Sequence, residues 1–178
     1  MPASAGLVLR LLPPGSPAQR AYGYPSLAFL ESHVGRYTLA TAHLDSAIVM
    51  DRAHSDTSNE ARQRLFMTEL ETVSGDSLSA HEHMADFMTL FRHIYLEPTL
   101  LLWAGRTAAR RGDRQALNEI LDTLARRVKK EVPTDQAALS DLEGEAALLA
   151  GHRREARASF ALALPLDPPA HCQEEAAP

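Results

Sequence analysis

The sequence predicts an all-α fold made of about four tandem antiparallel helical hairpins. Four glycines each separate two helix-like runs, at intervals of 40, 37 and 39 residues: Gly35, Gly75, Gly112 and Gly151. Such an interval is typical of arrays in which each hairpin stacks on the next, because one hairpin alone cannot bury its apolar face. The composition agrees, since alanine and leucine abound and aromatic residues make up only 6%.

Composition and charge narrow the class of protein. The 178 residues are enough for one domain with a sizeable core, and a 45% apolar fraction is ordinary for a soluble protein. With a formal charge of -5, the whole molecule is not expected to attract nucleic acid or an anionic membrane. The run Leu7–Leu12 is short and is split by Arg10, so we expect no signal peptide, and the single Cys172 favours a cytoplasmic location.

The chain divides into three parts. We expect a proline-rich arm or linker over residues 1–20, a helical-repeat domain over 21–168 and a flexible tail over 169–178. Prolines forbid a continuous helix in the first part, and Pro165, Pro168 and Pro169 are expected to end the last repeat.

Apolar stripes and helix-start signals define repeats one and two. Repeat one is expected from about Pro25 to Arg52, and Thr57 with Glu60 has the spacing of a capping box that would start repeat two. The stripe of the second helix in repeat one is Leu39, Ala40, Leu44, Ala47 and Ile48. The stripes of repeat two are Ala61, Leu65, Phe66, Leu70 and Val73, then Leu78, Met84, Phe87, Met88, Phe91 and Leu96.

Repeats three and four start at prolines. Pro98 is expected at the N-terminus of one helix, and Thr134 is expected to cap another. Each turn glycine is expected to adopt a left-handed conformation, and Asp76 and Asp113 are expected to cap the helices that follow.

The fourth unit resembles a tetratricopeptide repeat. Its small, turn, aromatic and terminal positions fall at the spacing of that family: Gly144, Gly151, Ala156, Phe160, Ala163 and Pro168. Unit three keeps Gly105 and Gly112, while units one and two match mainly in their second helices. The intervals exceed the usual length of that repeat, which leaves another helical-repeat family as the alternative.

The resemblance implies a concave groove that holds a peptide segment of a partner protein. In that family the first helix of each hairpin lines the groove. Carried over to this chain, the positions are Phe29, His33, Arg62, Leu65, Glu69, Leu102, Arg106, Arg110, Asp141 and Glu145. The carboxylates of Asp141 and Glu145 oppose the all-basic clamp that some relatives use for a C-terminal carboxylate, so we do not expect that ligand.

Catalysis, metal binding and cofactor binding are not expected. His81 and His83 are two residues apart, and on a helix they point to different faces, which favours solvated or packing histidines over metal ligands. Cys172 lies in the tail, where nothing would hold a base, and we find no phosphate-binding glycine loop. An enzyme whose site forms only in the fold remains the alternative.

A basic cluster lies between residues 106 and 130, followed by Arg153, Arg154 and Arg157. It is compatible with a patch for an acidic peptide or a phosphate backbone, but cations near helix C-termini also complement the helix dipole, and we favour that interpretation. Trp103 is expected in the core, with a groove or dimer anchor as the alternative.

We therefore expect a scaffold or adaptor that binds a protein or peptide partner and needs no cofactor. The alternative is a self-associating or regulatory module, a homodimer through the exposed face of unit four around Leu142, Leu149 and Phe160.

Overall fold

The computed structural model describes residues 23–129 and 131–164, which form eight α-helices and no β-strand. The expectations for the arm, the tail, Cys172 and Pro165–Pro169 lie outside these residues. None of the helices described is long and apolar enough to cross a membrane. The helices are α1 Tyr24–His33, α2 Tyr37–Ala53, α3 Thr57–Ser74, α4 Ser77–Phe91, α5 Pro98–Arg110, α6 Arg114–Arg127, α7 Pro133–Ala150 and α8 Arg153–Ala163.

The helices pair along the chain as helical hairpins, which confirms the predicted fold class. We call α1–α2, α3–α4, α5–α6 and α7–α8 hairpins 1 to 4, and the two helices of each pair pack on one another. The four glycines at their turns have φ values of +74°, +88°, +70° and +86°, as predicted for Gly35, Gly75, Gly112 and Gly151. In each turn the next residue donates its N–H to the carbonyl five residues earlier, at 2.9 to 3.0 Å, and so closes the preceding helix.

A fifth turn of the same form joins hairpin 1 to hairpin 2, although no glycine stands at this position. Ser55 takes the left-handed conformation, with φ +56°. Asp56 N–H donates to Asp51 O at 2.8 Å, which repeats the bond of the glycine turns. The connection between these hairpins is therefore as short as the turns within them.

The aspartates of three turns cap the helices that follow. Asp76 accepts from Ser79 N–H and Asp113 accepts from Ala116 N–H, as predicted. The capping box at Thr57 is wrong, because Asp56 is the N-cap of α3 and accepts from Asn59 N–H. Thr134 also lies inside its helix, since α7 starts at Pro133 and Val132 is its N-cap.

The described residues fall into two compact units, divided between Tyr95 and Leu96. Unit 1 contains α1 to α4, and its third helix packs against both α2 and α4. One cluster of its core is Ala28, Ala40, Leu44, Ile48, Met67 and Leu70, with Tyr37 and Phe66 against it. Three residues assigned to apolar stripes are instead exposed: Leu39, Val73 and Leu78. Leu96 is buried, but α4 ends before it at Phe91.

Helix α3 buries polar as well as apolar side chains. Glu60 Oε1 lies 2.7 Å from Arg52 Nε of α2, so it links two helices instead of closing a capping box. On the other side, Arg64 reaches Asp86 of α4 at 3.2 Å, and Glu71 lies 2.7 Å from His83 Nδ1. Since the Glu60, Arg64 and Glu71 side chains are at most 10% exposed, these contacts with neighbouring helices replace water around them.

Unit 2 contains α5 to α8 and is held by close approaches at two glycines. A Cβ on Gly105 would lie 2.5 Å from Leu142 Cδ1, so α7 packs directly on the backbone of α5. A Cβ on Gly144 would lie 2.6 Å from the Phe160 ring, so α8 covers α7 in the same way. The small residues of the predicted repeat pattern are therefore positions of helix contact.

Candidate functional site

A cavity of about 450 Å³ opens on the surface of unit 2 and gathers three of the residues that the resemblance assigns to a groove. Leu102 and Arg106 come from α5 and Asp141 from α7. We call it the unit-2 cavity. Its remaining walls are Pro98, Thr99, Thr134, Asp135, Ala137, Ala138, Phe160, Ala163 and Leu164.

Arg106 and Asp141 form a two-point ion pair at the edge of this cavity. Arg106 Nε lies 3.1 Å from Asp141 Oδ1, and its second nitrogen lies 2.5 Å from Oδ2. The carboxylate is largely buried, with 16% of the side chain exposed, while the guanidinium is 45% exposed. This geometry fixes both groups and joins α5 to α7.

The next helical turns carry the other two charged groove residues. Burial raises the pKa of the Glu145 carboxyl, the Asp141 carboxylate raises it further, and Arg106 and Arg110 act in the opposite direction. Arg110 is exposed at the end of α5. The four charges predicted for this part of the groove therefore lie within electrostatic reach of one another.

In unit 1 a second concave surface lies between α1 and α3. We call it the unit-1 trough, with a volume of about 610 Å³. It contains two of the predicted groove residues, Phe29 and Arg62, and Phe29 is 53% exposed. The other lining residues are Pro25, Ser26, Leu30, Asn59, Gln63 and Phe66.

The remaining predicted residues of unit 1 lie elsewhere. His33 is exposed at the end of α1, with its ring 4.1 Å from that of Phe29 and its Nδ1 2.8 Å from Phe29 O. Leu65 is fully buried and does not reach the surface of the trough. Glu69 is half-buried on α3. The open face of α3 thus follows Asn59, Arg62 and Phe66.

Sequence reasoning did not assign one aromatic residue of each surface to the groove. Phe66 was placed on a core stripe, although it lies one helical turn after Arg62 and therefore shares its face. Phe160 was assigned to packing within unit four and to a self-association face with Leu142 and Leu149; it packs on Gly144 and lines the unit-2 cavity. The expectation of an exposed face around Leu142 is wrong, because that side chain is fully buried against Gly105. The helical spacing of four residues from Arg62 was the signal that could have found Phe66.

The other candidates have local contacts. His81 is exposed, whereas His83 pairs with Glu71, so the two histidines point in different directions as expected. In the part of the chain that the structure describes, no group of three or more His, Cys, Asp or Glu is placed to hold a metal ion. Trp103 is half-buried on α5.

Two further arginines of the basic cluster donate to backbone carbonyls inside unit 2. Arg127 reaches Leu96 O at 3.0 Å, and Arg114 reaches Leu149 O at 2.5 Å. With the Arg106 ion pair, these bonds give part of the cluster a role in packing.

Neither a scan against models of protein families nor searches of the curated proteins and of the solved structures found a match for this chain.

Proposed function

We propose that this chain is a scaffold or adaptor that binds a peptide segment of a partner protein on the first helices of its hairpins. The single observation that carries the proposal is the unit-2 cavity, where an open apolar pocket lies beside the fixed Arg106–Asp141 pair. Its volume lies in the range of sites that enclose a ligand or an anchoring side chain.

The chemistry of the cavity supports a peptide as its ligand. Leu102, Phe160 and Leu164 offer an apolar surface for one large side chain of the peptide. Thr99, Thr134 and the ion pair at the edge offer polar groups for its backbone. The unit-1 trough supports the same function independently, since exposed Phe29 and Leu30 lie there beside Arg62.

Selection of peptides provides the test. A phage-displayed library of random peptides is selected on the immobilised full chain, and selected sequences are synthesised with a fluorescent label. Their dissociation constants are measured by fluorescence anisotropy with wild type and with Leu102→Glu and Phe29→Glu. We expect at least one of these variants to weaken a selected peptide by about tenfold or more.

Matched variants distinguish a direct effect on peptide binding from a general effect on the fold. Leu78→Glu places the same change at a 70% exposed leucine of α4 outside both surfaces, and we expect it to leave binding unchanged. Arg106→Glu alone and Arg106→Glu with Asp141→Arg test the ion pair. If its role is to position α5 against α7, the exchanged pair restores binding. Failure to select any peptide, or selected peptides that ignore both surfaces, contradicts the proposal.

A further inference from the structure

A third concave surface lies at the far side of hairpin 4. We call it the end groove; it has a volume of about 500 Å³ and lies along α8 and the last turns of α7. Its apolar residues include Leu148 and Leu164, which are 49% and 74% exposed. Arg153 and Arg157 also line it.

The end groove lies on hairpin 4 at a position equivalent to the one where α7 packs on hairpin 3. The sequences of hairpins 3 and 4 align with a shift of 39 residues, which pairs Gly105 with Gly144 and Gly112 with Gly151. In hairpin 3, α7 packs on the face of α5 that carries Gly105, and Ala109, one turn later on that face, is only 6% exposed. The equivalent residue of hairpin 4 is Leu148, which is half exposed.

A second pair of equivalent residues points to the same kind of contact. Arg114 stands two residues after its turn glycine, and it donates to Leu149 O near the C-terminus of α7. Arg153 stands at the equivalent position of hairpin 4 and lines the end groove. It is therefore placed to donate to the last carbonyls of a helix lying in the groove, where such groups lack a partner within the helix.

In hairpin 4, a side chain of the hairpin itself already covers part of the surface on which an incoming helix would pack. The Phe160 ring lies over Gly144 as Leu142 lies over Gly105, so that glycine is already covered. The ring also forms a wall of the end groove. An incoming helix would contact the outer side of Phe160 together with Leu148 and Leu164.

We propose that the end groove binds an acidic amphipathic helix of a partner protein. Charge argues for this partner, because two arginines line the groove and Glu145, the hairpin 4 equivalent of Arg106, does not. Helix α7 is an acidic helix of this kind, with four carboxylates and no lysine or arginine: Asp135, Asp141, Glu143 and Glu145.

The sequence of α7 supplies the probe. A labelled peptide of residues 132–150 with blocked termini is titrated with the full chain, and binding is followed by anisotropy. We expect saturable binding below about 1 mM, accompanied by an increase in helical circular dichroism. Arg153→Glu and Leu148→Asp in the protein, against the unchanged peptide, are each expected to weaken it about tenfold.

The matched control for charge is Arg154→Glu, an exposed neighbour that does not line the groove. Equal weakening by Arg154→Glu, or no binding at 1 mM peptide, overturns the proposal. So does a wild-type dimer in sedimentation equilibrium that Leu148→Asp dissociates, since a second copy would then occupy the groove. The unit-2 cavity and the end groove share Phe160 and Leu164, but Leu102 lines the cavity alone. Leu102→Glu is therefore expected to leave this peptide bound, which separates a failure of this proposal from a failure of the proposed function.

Discussion

The packing of α7 on the backbone of α5 makes a quantitative prediction for Gly105→Ala. The added methyl would lie 2.5 and 2.6 Å from the two terminal carbons of Leu142, which is fully buried and must move to make room. Overpacking of this kind costs about 1–3 kcal/mol, whereas alanine is preferred to glycine inside a helix by about 1 kcal/mol. We therefore expect a net loss of about 1 kcal/mol, which lowers the melting temperature by roughly 2–4 °C.

The only tryptophan of the chain provides the assay. Trp103 lies on α5, two residues before the substitution, so its fluorescence during urea unfolding reports on unit 2. A double-mutant cycle with Leu142→Ala isolates the contact. In that background the methyl has room, so Gly105→Ala should change from destabilising to stabilising.

A second glycine serves as the control, because its substitution is expected to destabilise the protein for a different reason. Gly112 has φ +70° and nothing within 4 Å of its added Cβ. Gly112→Ala should therefore cost about 1 kcal/mol through the left-handed backbone, equally in both backgrounds. If Gly105→Ala stabilises the wild-type protein, Leu142 does not rest on that backbone and the reasoning is refuted.

Four further predictions concern local features. Ser55→Gly should raise the free energy of unfolding by about 0.5–1 kcal/mol because glycine accepts φ +56° without strain, and a lower melting temperature would contradict this. His83→Ala should cost about 1–3 kcal/mol in urea unfolding because it leaves the Glu71 carboxylate buried without its ring partner, and His83→Gln should cost less. The raised pKa of Glu145 adds stability that is complete below pH 4.5 and is lost as the pH rises through that pKa, so Glu145→Gln should remove this decline in unfolding measured against pH. The pKa of Asp76 is lowered by its bonds to Ser79, so its contribution is present above pH 3.8 and is lost on acidification; Asp76→Asn should remove that dependence.

The sequence predicted the hairpin turns because the left-handed conformation strongly selects glycine. The same criterion missed the turn at Ser55, since serine carries no signal for a positive φ. The helix start was displaced by one residue at Thr57, because Asp56 competes for the same cap. It was displaced by two residues at Thr134, because Pro133 takes the first helical position and leaves Val132 as the N-cap.

The candidate site was only partly accessible to the same reasoning. Arg106 and Asp141 were recognised as opposed charges of one surface, but their ion pair depends on how α7 rests on α5. Leu65 was assigned to the groove, whereas α3 packs on two neighbours and encloses it. Periodicity gives the faces of a helix, and the number of neighbours decides which of those faces stays open.

The polar side-chain contacts along α3 restrict how the helices of unit 1 can slide along one another. Arg52–Glu60, Arg64–Asp86 and Glu71–His83 join this helix to both neighbours at separate heights. An apolar helix shifted by one turn would exchange one aliphatic contact for another. Here the same shift of about 5.4 Å would separate these partners and leave the Glu60 and Glu71 carboxylates buried without them, which is strongly unfavourable. We infer that these pairs select a single axial alignment of the helices, whereas burial of the apolar core supplies most of the stabilising free energy.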